Sequence, residues 1–114
     1  MHEMALVQNI IDIVLQEMDK YEVEKLQAIN LAVGRMSAAV PEQLQMCFEI
    51  LTTDHKLTGT KLNIRMVPVT YKCWECEKEF TSAGITFTCP FCESPNPEII
   101  FGRELKIESI EVVD

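Results

Sequence analysis

The chain has 114 residues, 47% of them apolar and 25% charged, a composition that indicates a folded domain and argues against a disordered chain. Its net charge of −8 disfavours nucleic acid and anionic membrane surfaces as partners, because an acidic protein is poorly placed to neutralise phosphates. No apolar run approaches the roughly 20 residues that span a bilayer, and no basic stretch leads into a signal-like core. We therefore expect a cytoplasmic protein, and the five cysteines, four of them spaced for a metal, fit a reducing compartment.

The first two-thirds of the chain predicts two helices and two strands. Apolar residues recur every three or four positions over 3–21, which predicts an amphipathic helix. Residues 25–33 predict a strand, and Pro41 suits the first turn of a second helix that ends before the next polar stretch. Alternating apolar residues over 61–67 predict another strand. His55 falls in the polar connection before that strand, where we expect a solvated side chain.

Four cysteines in the next segment carry the strongest signal in the chain. They form two C-x-x-C pairs separated by twelve residues, namely Cys73, Cys76, Cys89 and Cys92. Each pair can aim both sulfurs at one point, so the pattern predicts a structural Zn²⁺ held by four thiolates. A rubredoxin-like iron centre is the alternative, although Glu77 and Glu93 follow the pairs where such centres commonly carry glycine. Cys47 lies at an apolar position of the second helix and is predicted to be an ordinary buried thiol.

The predicted fold class is α+β, with a zinc-ribbon module inserted into a small domain. Residues 69–103 contain three prolines and few aliphatic side chains, so a segment this short needs its metal to fold. Residues 104–113 again predict a strand, which must return to the first sheet because an isolated strand is not stable. We therefore predict one domain from 1–68 and 104–114, with a sheet of roughly three strands and two helices, and the zinc ribbon as a second domain.

The N-terminal residues Met1, His2 and Glu3 form a second candidate metal site. A free α-amine there lies one peptide away from the His2 imidazole. The amine, the His2 amide nitrogen and an imidazole nitrogen can bind one metal, and the Glu3 amide nitrogen or a carboxylate would complete a square plane. Nitrogen donors in this geometry suit Ni²⁺ or Cu²⁺. Many proteins begin with an inert histidine, so these residues alone leave the site open. The sequence contains no nucleotide-binding motif and no nucleophile–base pairing, so we do not expect an enzyme.

In combination, these parts resemble the HypA/HybF family of hydrogenase nickel-incorporation proteins. The resemblance rests on MHE at the start, LAVGRMSAAVPEQLQMCFEIL in the middle, and the pairs CWEC and CPFC, and it covers essentially the whole chain. It implies a metallochaperone that holds Ni²⁺ as transient cargo for the large subunit of nickel–iron hydrogenase and works with a HypB-like GTPase. Some members also supply urease. The implied nickel ligands are the Met1 amine, the backbone and side chain of His2 and the backbone of Glu3. The four cysteines would hold Zn²⁺ in a structural or regulatory role.

Two positions depart from the family pattern. Ala39 and Val40 precede Pro41 where some relatives carry an acidic residue, which leaves only Glu42 as a nearby carboxylate for nickel. Residues 70–103 contain no histidine, so we do not expect zinc ligation to switch with pH. Two other functions stay open: a zinc-ribbon adaptor for protein partners with an incidental N-terminus, and an iron-based electron carrier. The sequence is compatible with a monomer or a weak homodimer.

Overall fold

A computed structural model describes residues 3–82 and 85–113 of the chain. In chain order the elements are α1 (Glu3–Lys20), β1 (Leu26–Gly34), α2 (Pro41–Leu51), β2 (Lys61–Val67), β3 (Val69–Lys72), β4 (Glu79–Ser82), β5 (Glu98–Phe101) and β6 (Leu105–Val112). The strands form two three-stranded sheets, with strand order β2-β1-β6 in one and β4-β3-β5 in the other. The predicted α+β fold class, with two helices and small sheets, is confirmed.

The chain divides into two compact units. The first comprises the described parts of Met1–Leu31, Ala39–Arg65 and Lys106–Asp114, and the second comprises Ala32–Ala38 and the described parts of Met66–Leu105. The sequence predicts one domain from 1–68 and 104–114 and a second from 69–103. These boundaries concern independent folding and remain a prediction.

Helix α1 forms because its apolar residues share one face. Five of them are buried, namely Val7, Ile10, Ile11, Val14 and Met18. Glu3 lies in the first turn and Lys20 in the last, so both charges complement the helix dipole. The helix packs against α2 within the first unit. Among the described residues, no helix combines the length and the apolar character needed to cross a membrane.

Helix α2 starts at Pro41, where the missing proline N–H would have had no partner within the helix. Val40 before it is extended, with φ −100° and ψ 119°, as the residue before a proline prefers. The helix buries Leu44, Cys47 and Phe48, so the predicted buried thiol is confirmed. It ends where the backbone N–H of Thr52 donates to the Phe48 carbonyl.

Strand β1 is the centre of the first sheet and pairs antiparallel with β6. The Val113 N–H donates to the Lys25 carbonyl at 3.2 Å, and the Gly34 N–H donates to the Glu104 carbonyl at 2.7 Å, so opposite ends of the two strands meet. The prediction that the last strand returns to the first sheet is therefore confirmed.

Strand β2 runs parallel to β1 on the other side. The Thr60 hydroxyl, just before β2, donates to the Leu26 carbonyl at the start of β1, at 3.1 Å. The Arg35 N–H, just after β1, donates to the Val67 carbonyl at the end of β2, at 3.0 Å. Parallel strands need a crossover connection, and α2 supplies it.

The connection between α2 and β2 is a hydrogen-bonded loop. His55 is half-buried, and its Nδ1 accepts the Leu57 N–H at 3.0 Å. The Thr58 hydroxyl donates to the Thr52 carbonyl at 2.6 Å, and Leu57 is completely buried. His55 thus lies in the predicted connection, but its side chain is only partly solvated, because its imidazole accepts the hydrogen bond that orders this turn.

Candidate metal centre

The first cysteine pair lies in a tight turn directly after β3. The Cys73 N–H donates to the Lys78 carbonyl at 3.0 Å, and the Glu77 N–H donates back to the Cys73 carbonyl at 2.7 Å. Glu77 has a φ of 61°, in the left-handed region that L-residues other than glycine rarely adopt. This backbone reversal places Cys76 on the same side of the turn as Cys73.

The second pair repeats the same geometry. The Cys89 N–H donates to the Ser94 carbonyl at 2.9 Å, and the Glu93 N–H donates to the Cys89 carbonyl at 2.9 Å. Glu93 has a φ of 64°. Both turns therefore adopt the conformation that favours glycine, but with glutamate. The absence of glycine at these two positions therefore does not distinguish a zinc site from an iron site.

The four cysteine sulfurs come together as the spacing predicts. All four Sγ atoms lie within 4.8 Å of one another. Cys73 Sγ is 3.5 Å from Cys92 Sγ, and Cys76 Sγ is 3.7 Å from Cys89 Sγ, so each close contact joins one pair to the other. In a tetrahedral site with Zn–S bonds of about 2.3 Å, the sulfurs would be about 3.8 Å apart. The cluster therefore has the dimensions and the donors of a four-thiolate zinc site.

The surroundings of the cluster give its thiols different acidities. Hydrogen bonds with the side chain and backbone of Ser94 lower the pKa of Cys92 to about 6. For Cys76, a backbone hydrogen bond from Lys78 acts to lower the pKa, but desolvation and hydrogen bonds with the other three thiols outweigh it and raise the pKa to about 11. Because metals bind thiolates, any metal that enters this set must displace protons.

Aromatic packing supports the second unit around the cluster. The Tyr71 ring is only 1% exposed and stacks on Phe80, with ring centroids 5.3 Å apart. The Tyr71 hydroxyl accepts the Thr86 N–H at 2.9 Å. Phe80 in turn meets Phe91, which lies between Cys89 and Cys92, edge to face at 6.3 Å. The few aliphatic residues in this segment gave no indication of this aromatic packing in the sequence.

The predicted nickel site falls largely outside the described residues. Met1 and His2 are not described, and Glu3 is the first residue of α1, with a half-buried side chain. Glu42, the only carboxylate that we placed near nickel, is exposed in the first turn of α2. The N-terminal ligand set therefore remains a prediction.

The comparisons with known sequences agree on one family. Residues 1–112 match the family described as "Hydrogenase/urease nickel incorporation, metallochaperone, hypA". The hydrogenase maturation factor HypA of Desulfatibacillum aliphaticivorans is 40% identical over 115 residues, covering 100% of this chain and 88% of the relative. The hydrogenase maturation factor HypA of Solidesulfovibrio magneticus is 37% identical over 116 residues, with coverage of 98% and 99%.

Solved structures show the same fold. The solution structure of the nickel metallochaperone HypA from Helicobacter pylori matches with a TM-score of 0.69 at 23% identity, over 99% of this chain and 98% of that chain. A second HypA solution structure has a TM-score of 0.73 at 23% identity, over 99% and 97%. These two structures share the α+β fold of this chain. By its sequence, the chain belongs to the HypA family of nickel metallochaperones for hydrogenase maturation.

Proposed function

We propose that this chain is a nickel carrier that takes up Ni²⁺ at its N-terminus and delivers it for the maturation of nickel–iron hydrogenase. The observation that carries the proposal is the family match over residues 1–112, which includes the MHE sequence at the start of the chain. Urease is a second recipient where the organism makes one. The chain performs no catalysis of its own and works in the cytoplasm.

The proposed nickel ligands are the Met1 amine, the backbone and imidazole of His2, and the backbone of Glu3. Donors on three consecutive residues close fused chelate rings around one ion, and this square-planar nitrogen set suits Ni²⁺. Nickel must displace protons from the amine, the amides and the imidazole, so binding weakens as the pH falls. A carrier needs this reversibility, because it must also release its cargo.

The four cysteines, in this proposal, hold Zn²⁺ as a structural ion. The support is the sulfur cluster, in which Cys73, Cys76, Cys89 and Cys92 all lie within 4.8 Å of one another. Four thiolates fill a tetrahedral shell and leave no open position for chemistry. When bound, zinc would supply folding energy to the ribbon and take no part in nickel transfer.

The proposed partners follow from the delivery step. A carrier must dock on the protein that receives the metal, here the large subunit of nickel–iron hydrogenase. A HypB-like GTPase of the same maturation pathway is the second proposed partner.

Nickel titration of untagged protein tests the N-terminal site. We expect a single high-affinity nickel in wild type and its loss in His2→Ala, with zinc content unchanged. His55→Gln is the matched control, because it removes the only other histidine and should keep nickel. Wild-type nickel affinity in His2→Ala would exclude the site and favour a zinc-ribbon adaptor.

An N-terminal extension tests the amine separately. Adding residues before Met1 turns the amine into an amide, so nickel affinity should fall by at least about tenfold. An unchanged affinity in the extended protein would exclude the amine as a ligand. Metal content decides the remaining alternative, since a red preparation that contains iron in place of zinc would favour an electron carrier.

A further inference from the structure

The three-stranded sheet of the second unit has two faces of different character. Strand β3 lies between β4 and β5, and residues directly opposite each other in neighbouring antiparallel strands point to the same face. Tyr71 is opposite Phe80 on β4 and Ile99 on β5, so these three side chains share one face. Tyr71 is only 1% exposed, and its hydroxyl accepts the Thr86 N–H. The segment that follows β4 therefore covers this face.

The opposite face of the same sheet is open to solvent. Pairing between β3 and β5 shifts by one residue between Thr70 and Tyr71, so Phe101, and not Ile100, lies opposite Thr70. Phe101 is 59% exposed. We call this surface the open face, and its strand residues are Thr70, Lys72, Glu79, Thr81, Glu98 and Phe101. A phenylalanine thus stands on a sheet face that the described part of the chain leaves in contact with solvent.

Trp74 extends the open face beyond the end of β3. Its indole N–H donates to the Glu98 carboxylate at 2.6 Å, and the Lys72 Nζ lies 4.6 Å from the centre of its ring. Both partners belong to the open face, so Trp74 lies on the same side of the sheet, where it is 62% exposed. Two exposed aromatic side chains, Trp74 and Phe101, therefore flank the charged row that contains Lys72. Aromatic side chains are enriched in protein–protein interfaces and often dominate the binding energy.

The charges on the open face favour a basic partner. Glu79 and Glu98 lie on either side of Lys72, so carboxylates outnumber cations in this row. Lys78 does not change the balance, because its Nζ lies over the ring of Phe91, which packs on the covered face. Among the described residues, neither carboxylate forms an ion pair with a basic side chain. The net charge of −8 would attract a basic protein segment from a distance and repel nucleic acid and anionic lipid.

We propose that the open face of the zinc ribbon is a docking surface for a basic segment of a partner protein. Apolar side chains of that segment would cover Trp74 and Phe101, and an Arg or Lys between them would reach the carboxylates of Glu79 and Glu98. None of these residues belongs to the nickel ligands proposed above, so docking and nickel binding can be tested separately.

NMR titration of the zinc-loaded chain with three synthetic peptides tests this docking surface. The first peptide contains Leu-Ser-Arg-Ser-Leu, which sets two apolar side chains and one cation on the same side of an extended chain. The second peptide has Glu in place of Arg, and the third has Ser in place of both Leu. We expect only the first peptide to shift the Trp74 indole signal and the amide signals of the open face, with a Kd of about 1 mM. No shift with the first peptide, or equal shifts with all three, would overturn the proposal.

Variants of the exposed aromatic residues locate the binding surface. Phe101→Ser and Trp74→Ser should each weaken binding of the first peptide by about tenfold, because each removes a large apolar contact. Phe87→Ser is the matched control. Phe87 is 73% exposed, but it directly follows Thr86, which contacts Tyr71 on the covered face, so binding should not change. Zinc content is measured first, and wild-type affinity in both zinc-loaded open-face variants would contradict the docking surface.

Glu79→Lys tests the charge of the open face. It should weaken binding of the peptide with Arg by about threefold and strengthen binding of the peptide with Glu, because the substitution reverses the charge beside the central side chain. Glu49→Lys, at an exposed position of α2, changes the net charge by the same amount and should leave both affinities unchanged. Equal effects of the two substitutions would mean that the peptides respond to net charge alone, which would also overturn the proposal.

Discussion

The backbones of Gly34 and Gly102 lie in direct contact within the second unit. A Cβ atom on Gly34 would overlap the carbonyl group of Gly102 and would stand 2.8 Å from the Arg103 nitrogen. The Met36 N–H donates to the same Gly102 carbonyl at 2.7 Å. Gly102 itself has a φ of +123°, which only glycine adopts easily. The close approach of these two segments therefore requires glycine at both positions.

Gly34→Ala should lower the free energy of unfolding by about 3 kcal/mol or more, because the backbone of Gly102 cannot move aside as a flexible side chain could. Urea denaturation followed by circular dichroism measures this. Gly59→Ala is the matched control. Gly59 has a φ of +86°, but no atom lies within 4 Å of an added Cβ. This substitution should therefore lower the free energy of unfolding by only about 1–2 kcal/mol, through backbone strain. Equal losses in the two variants would contradict the steric argument.

Glu77→Gly should stabilise the zinc-loaded protein by about 1 kcal/mol, because glycine accepts the φ of 61° without the penalty that glutamate carries. The melting temperature under fixed zinc concentration is the measurement. Glu75→Gly, two residues earlier and also exposed, is the control. It should be neutral or destabilising, since Glu75 does not have a positive φ. A lower melting temperature for Glu77→Gly would mean that its side chain contributes more than its backbone costs.

The ion pair between Arg65 and Glu108 predicts a pH-dependent contribution to stability. The hydrogen bond from Arg65 lowers the pKa of Glu108 below 4.5 in the folded state. The stabilisation by this ion pair is therefore fully present above the pKa that Glu108 has in the unfolded chain. It is lost as the pH falls through the lower pKa that Glu108 has in the folded protein. Arg65→Gln should be slightly less stable than wild type at pH 7, and the difference should vanish in acid. The effect is small because Arg65 is 59% exposed.

Urea midpoints of wild type and Arg65→Gln, measured from neutral pH down into the titration range of carboxyl groups, test that dependence. Lys61→Gln removes the same charge from the same strand and should show no such pH dependence. A difference between wild type and Arg65→Gln that stays constant with pH would rule out the ion pair as its source.

Cys76→Ala should unfold the zinc ribbon, residues 69–103, and leave the other domain folded. A structural zinc contributes on the order of 10–16 kcal/mol in small finger peptides, far more than this segment can replace. Fluorescence of Trp74, the only tryptophan, reports on the ribbon, while far-UV circular dichroism reports on α1 and α2. Cys47→Ala, the cysteine outside the cluster, is the control and should keep the zinc. Loss of all helical signal in Cys76→Ala would contradict the two predicted domains.

Local patterns predicted most of the secondary structure and the metal cluster. The strand predicted over 61–67 coincides with β2, and the predicted start of the second helix at Pro41 is where α2 begins. The cysteine cluster was equally predictable from the sequence, because a C-x-x-C turn is closed by hydrogen bonds between residues four or five apart, as between Glu77 and Cys73. Such features need little information from the rest of the chain.

Sequence reasoning failed where a side chain depends on distant or unusual geometry. His55 looked like a solvated loop residue, but it orders a turn around the buried Leu57. Glu77 and Glu93 looked like evidence against a particular metal, but their backbones take the left-handed conformation without glycine. Residue type alone does not reveal such a conformation, because hydrogen bonds of the surrounding turn impose it.

The sequence by itself determined both helices, the three strands of the first sheet, the four-cysteine cluster and the family, because these depend on periodicity, spacing and short motifs. The ribbon strands β3, β4 and β5 were not predicted. Only the tertiary structure decided which distant residues meet. Arg65 and Glu108 are 43 positions apart in sequence, and Gly34 lies against Gly102. The position of β6 at the edge of its sheet also follows from the order of strands. Strand order and long-range contacts depend on how the whole chain buries its apolar surface, which no local pattern encodes.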